Sequence, residues 1–136
     1  MTNKQRLVKI LKYLKQEGGK TSPPNKLGLS PSQVDIIDNV FLSGKITVKK
    51  LSDSLNLKPP TISVSVKKLE HINVLKREPH EEDGRVALLR LTKKGFNLYN
   101  QIEKYRAAKV NTILNRLNPT EQNQMLILLE KALKDD

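Results

Sequence analysis

Neither cysteine nor tryptophan occurs among the 136 residues of the chain. Without thiols there can be no disulfide framework, no thiolate zinc site and no thiol-based peroxide sensor. Aromatic side chains are scarce, two Phe and three Tyr. A core therefore has to be built from Leu, Ile and Val, whose helical spacing through most of the chain predicts an α-rich fold. No apolar run approaches the roughly 18–20 residues that span a bilayer, and the N-terminus lacks a signal-type hydrophobic stretch. A cytoplasmic protein with no membrane partner is expected. Acid is also in short supply, because 14 Asp and Glu stand against 25 Lys and Arg, a net charge of +11. That excess is more than dispersal in water requires, and its natural counterpart is a polyanion. The length fits one domain spanning 1–136, with no room for a second.

What the chain does contain is a series of well-punctuated helices. Residues 4–17 put Leu7, Ile10 or Leu11, and Leu14 on one face, with Lys4, Lys9, Lys12 and Lys15 on the others. Those lysines form either a solvated cationic face or phosphate contacts. Gly18-Gly19 is expected to stop this helix and Pro23-Pro24 to keep the following chain extended, so 18–28 reads as a linker. Ser30-Pro31-Ser32-Gln33 then carries an N-cap, a first-position proline and a residue able to reach back to the cap. Leu29 and Val34 are spaced for a hydrophobic staple. A second helix over 31–42 follows, with Val34, Ile37, Val40 and Phe41 on its apolar face and Ser43-Gly44 at its end.

Thr47 can cap a third helix in which Leu51 and Leu55 face inward and Lys49, Lys50, Ser52 and Asp53 face water. Asn56-Leu57-Lys58 forms the turn after it. Pro59 and Pro60 are acceptable only where a helix begins, so a fourth helix starts there and runs to about residue 72. Ile62, Val66 and Leu69 share its inner face, and Thr61, Ser63, Val64, Lys67 and Lys68 lie on the others. Asn73 fits a left-handed helix end. Residues 74–78 and 85–91 are β-prone, and the Pro79 to Gly84 stretch between them is polar, which reads as a hairpin. Thr92 caps a long helix running to about Leu117, with Phe96, Tyr99, Ile102, Val110 and Ile113 among its apolar positions. Asn118-Pro119-Thr120-Glu121 repeats the start signal at Ser30, giving a last helix over 119–134 with Met125, Leu126, Leu128, Leu129 and Leu133.

Two helices joined by a short turn and followed by a basic hairpin, over 45–92, suit a DNA duplex. The major groove, about 12 Å wide, admits one helix, and the hairpin can reach the neighbouring minor groove. The candidate contacts are Pro60, Thr61, Ser63, Val64, Lys67 and Lys68 on the fourth helix and Arg85 on the wing. Thr61 and Ser63 can bond base edges or phosphates, Lys67 and Lys68 can neutralise phosphates, and the helix N-terminus adds partial positive charge. Taken alone, the same residues could be no more than a soluble helix face. Glu78, Glu81 and Glu82 would repel phosphates if they pointed at the duplex.

His71 lies near the end of the fourth helix and His80 sits among Glu78, Glu81, Glu82 and Asp83 in the wing, but solvated side chains are the simpler reading than a metal site. No metal and no cofactor is expected. The sequence holds no nucleophile-base motif and no phosphate loop, so an enzyme is not expected.

The run from Thr47 to Leu57, Pro59 to Leu69, Glu70, Asn73-Val74-Leu75, Arg77, Asp83-Gly84-Arg85 and Leu91-Thr92-Lys93-Lys94-Gly95 resembles the core of the MarR family of transcription regulators. The Asp-x-Arg followed by Leu-Thr-x-x-Gly is its most specific part, and the likeness extends over about residues 29–134. It implies a mainly α winged helix-turn-helix with a small β-hairpin wing. It implies also a homodimer whose terminal helices, 1–17 and 93–136, intertwine over a palindromic operator, acting more often as a repressor. Arg85 would enter the minor groove with Asp83 holding its guanidinium. Many relatives bind small phenolic or other aromatic effectors, but no residue here marks such a pocket. Two other readings stand beside this one. The chain could be an architectural or replication-linked winged helix with little sequence preference, or a protein-protein adaptor.

Overall fold

The computed structural model describes residues 1–20 and 27–134. Its elements are α1 (Asn3–Lys20), α2 (Pro31–Ser43), β1 (Ile46–Thr47), α3 (Val48–Leu55), α4 (Pro59–His71), β2 (Leu75–Pro79), β3 (Ala87–Leu91), α5 (Lys93–Leu114) and α6 (Pro119–Ala132). The two capping boxes form as their sequences require. Ser30 N–H donates to Gln33 Oε1 at 2.8 Å and Asn118 N–H to Glu121 Oε1 at 3.0 Å, each answered by the reciprocal bond. Leu29 and Val34, at the staple positions, are both buried in the same core.

Three expectations need correction. The first helix does not stop at Gly18-Gly19 but continues to Lys20. Glycine costs about 1 kcal/mol relative to alanine inside a helix but keeps its N–H, so the ladder can run through it. The extended stretch expected at Pro23-Pro24 lies outside the described residues. Ser52 does not face water. It is buried, and its hydroxyl donates to the Leu57 carbonyl across the turn that ends α3. The long helix ends at Leu114 rather than Leu117, and Gln122 of α6 donates back to the Leu114 and Leu117 carbonyls.

The sheet has three strands rather than two. β1, β3 and β2 lie side by side in that order, all antiparallel, with Ile46 opposite Leu89 and with Leu75 to Pro79 opposite Leu91 to Ala87. Pro79 is tolerated because β2 is an edge strand. The core lies under this sheet, where Ile36, Ile37, Leu51, Ile62, Leu69 and Leu89 are fully buried. Burial of each such side chain stabilises by about 1.5–3 kcal/mol.

α5 joins this unit at two places. Ile102 enters the core, and Arg106 grips Asp38 of α2 with both terminal nitrogens, at 2.9 and 2.6 Å. Phe41 stacks on Tyr99 at 3.8 Å and meets Phe96 edge-on at 6.1 Å. α1 and α6, by contrast, bury nothing among their described residues. Leu7, Leu11 and Leu14 on α1 and Leu126, Leu128 and Leu133 on α6 are all exposed.

Candidate nucleic-acid interface

α4 is held at both ends by its own backbone chemistry. Asn56, at φ 52°, turns the chain out of α3 in the left-handed region. At the far end Asn73, at φ 64°, lets Val74 N–H return to the Leu69 carbonyl at 2.9 Å and its own N–H to that of Glu70 at 2.9 Å. This double bond closes the helix in the Schellman manner. With Ile62, Val66 and Leu69 fully buried, the orientation of the helix is fixed. Pro60, Thr61, Val64, Lys67 and Lys68 are then exposed and Ser63 half-exposed.

The N-terminus of α4 departs from expectation. Its first two residues are prolines, without N–H groups, and the next two amides both donate to Lys58 O, at 3.0 and 3.2 Å. The helix dipole remains, but no amide in this first turn is free for a phosphate. Lys58, the N-cap, makes no side-chain capping bond and is exposed. It belongs with the basic residues of this face, and the signal for it was a lysine placed directly before a proline-marked helix start.

In the wing, residues 80–86 connect the strands, with His80 N–H donating to Val86 O at 2.8 Å. Asp83 Oδ1 accepts from both the backbone N–H of Arg85 at 3.0 Å and its Nε at 3.1 Å. Those two bonds, the backbone one first, hold the Asp83 carboxyl below the usual carboxylate range. The Arg85 side chain is nevertheless 92% exposed. Its base is fixed while its terminal nitrogens face outward.

The other wing arginines are occupied. Arg77 Nε bonds Glu70 of α4 at 2.8 Å, and Arg90 bonds Glu78 at 2.9 Å, where Lys45 also approaches at 3.4 Å. Glu78 is therefore not a free charge turned toward a duplex. Bonded first by Arg90 and then by Lys45, its carboxyl is held below the ordinary range. Sequence reading missed this cluster because its members are far apart in the chain. Glu81 and Glu82 remain exposed at the loop.

Lys94 Nζ donates to Ile72 O at 2.8 Å, and the Thr92 hydroxyl donates to Asn73 O at 2.6 Å while accepting from Gly95 N–H at 3.0 Å. The Leu-Thr-x-x-Gly segment thus stitches the end of α4 to the start of α5. A Cβ on Gly95 would fall well inside contact distance of the Val74 carbonyl oxygen and within 3.1 Å of Leu91 Cδ2. Among the described residues no group of three or more His, Asp or Glu side chains stands close enough to hold a metal ion. No helix among them is long and apolar enough to cross a membrane.

A helix-turn-helix whose second helix turns hydroxyls and lysines outward, beside a three-stranded wing with one outward arginine, defines the winged helix-turn-helix class. The family model for the MarR family matches residues 29–87. Among curated proteins the chain is 27% identical over 105 residues to the uncharacterized HTH-type transcriptional regulator YkoM of Bacillus subtilis (strain 168), covering 77% of this chain and 68% of that protein. It is 25% identical over 99 residues to the HTH-type transcriptional repressor MdtR of the same organism, covering 73% of this chain and 64% of that one. Among solved structures, Streptococcus pneumoniae FabT in complex with DNA superposes with a TM-score of 0.78 at 24% identity, over 97% of this chain and 100% of that one. The family model covers the helix-turn-helix and most of the wing, and the curated relatives are HTH-type transcriptional regulators, so the chain is a winged helix-turn-helix DNA-binding transcription regulator similar to the MarR family.

Proposed function

We propose that the protein acts as a homodimeric, sequence-specific repressor that occupies a palindromic operator in the cytoplasm. The observation that carries this reading is Arg85. A surface arginine anchored at its base by Asp83 and still 92% exposed gains little for the fold, since exposed ion pairs contribute about 0–1 kcal/mol. It is well suited to a narrow, electronegative minor groove. α4 stands beside the same sheet, with Thr61, Ser63, Lys67 and Lys68 turned away from the core. Contact with DNA in this reading needs no cofactor.

Dimerisation is supported by α1 and α6, whose leucines stay exposed among the described residues. Apolar helical faces of this extent mark protein interfaces. Repression is supported by likeness to MdtR, which is named a repressor. The test is selection of duplexes from a random pool by the full chain. A recovered palindrome with half-sites about 34–36 Å apart is expected. Enrichment without any palindrome favours the architectural reading, and no retention of DNA at low salt favours the adaptor. Sedimentation at micromolar concentration should give a dimer, and a monomer there contradicts the proposal.

Affinity should fall steeply with salt, by about −0.9 in the log-log slope for each phosphate neutralised. Lys67→Ala should make that slope shallower by about one per subunit. A slope identical to that of the parent protein removes Lys67 from the interface.

A further inference from the structure

The N-terminal turns of a recognition helix are the part that approaches base edges. In α4 these are Pro59 to Val66, and they contain no Arg, Lys, Asn or Gln. Those are the side chains that bond guanine or adenine in two-pronged fashion. Neither of the other wing arginines fills the gap, because Arg77 is paired with Glu70 and Arg90 with Glu78.

Beside the hydroxyls of Thr61 and the half-exposed Ser63, what the outward face of these turns offers is hydrocarbon. Val64 is 55% exposed although Ile62 and Val66, on either side of it in sequence, are fully buried. It contributes nothing to the core, and as a β-branched residue it is less favourable in a helix than alanine. Pro60 stands four residues before it and Thr61, with its own methyl, three before, so all three share one face. Lys67 and Lys68 continue that face by three and four residues, and both are exposed. The result is an apolar strip with cations at one end. In the major groove the base substituent that complements an isopropyl group is the 5-methyl of thymine.

We propose that α4 reads its half-site chiefly through thymine methyl groups packed against Val64, flanked by Pro60 and Thr61, with Lys67 and Lys68 on the backbone. The inference rests on the DNA-binding reading above and adds to it the base chemistry of the operator. Its half-sites are defined by thymine rather than by guanine.

The test uses the full chain and the duplex that binds it best from the random pool. That duplex is synthesised once with thymine and once with deoxyuridine, which lacks only the methyl. The parent protein should bind the uracil form about four-fold more weakly for each methyl contacted, the worth of one buried methyl. Val64→Ala, an exposed position where the fold should persist, should bind both forms alike. Its salt slope should stay that of the parent, because no phosphate contact is removed. Equal affinity of the parent for the two duplexes overturns the proposal. So does an undiminished thymine preference in Val64→Ala, or recovery of half-sites rich in G·C. Failure to retain any duplex at low salt overturns the DNA-binding reading itself, and this inference with it.

Discussion

Gly95→Ala is expected to destabilise the protein by about 1–3 kcal/mol, the usual cost of forcing extra atoms into a filled site. The methyl would press on the backbone oxygen of Val74 and on Leu91. The first is backbone and the second belongs to a buried side chain that is met at its Cβ as well as at its tip, so relief requires moving α5 away from the α4–β2 junction. That movement would strain the bonds from the Thr92 hydroxyl to Asn73 O and from Lys94 to Ile72 O. Thermal melting should register the loss at about 2–8 °C for each kcal/mol in domains of this size range. Gly84→Ala is the comparison, because a Cβ there meets nothing within 4 Å. Both variants should be melted at one protein concentration, since the proposed dimer would make the midpoint depend on it. If the two melt together, the close approach at Gly95 has no energetic consequence.

Arg85→Ala is expected to weaken DNA binding by about 1–3 kcal/mol, roughly 5- to 150-fold. The loss should be greatest for operators with A·T-rich flanks, whose narrow minor grooves concentrate negative potential. Competition between duplexes that differ only in those flanks measures the effect. Equal weakening on every duplex reduces Arg85 to a phosphate contact. Arg85→Lys should restore part of the affinity, keeping the charge without the planar fork. Asp83→Asn should act in the same direction as Arg85→Ala but less strongly, because it frees the guanidinium without removing it. The anchor is present at neutral pH and above. With the Asp83 pKa depressed in the folded protein, it is lost only as pH falls through that lowered value.

Features that depend on neighbours within a few residues were readable from sequence. The Ser30–Gln33 and Asn118–Glu121 boxes and the Asp83–Arg85 pair join residues at most three apart, and the helix closure at Asn73 joins residues at most five apart. Their geometry follows from local backbone preferences. Features that depend on how the chain turns back on itself were not. Ser52 looks like a surface serine until the turn brings the Leu57 carbonyl to its hydroxyl. Glu78 looks like a stray acid until the sheet places Arg90 opposite it and Lys45 near by. The β1 strand is two residues long and exists because β3 offers it an edge. Asp38 and Arg106 are 68 positions apart, and no periodicity in either helix marks them as partners. For the candidate interface the same division holds. The outward residues of α4 and the two prolines without N–H groups followed from the sequence, whereas the occupation of the next two amides depends on the Thr61 and Ile62 bonds to Lys58 O.

A helix ordinarily begins with Ser, Thr, Asp or Asn because an oxygen is needed for the second or third amide of the first turn. In α4 the second amide does not exist and the third is already taken by a carbonyl. The position in front of the helix is thereby released from that duty. Where a capping aspartate would set a negative charge at the tip of the element, this chain carries Lys58. The paired prolines have a second effect, since they narrow the unfolded chain's choices before the helix forms. Two imino acids thus let the leading end of α4 be both ordered and cationic, a combination that the common capping residues do not provide.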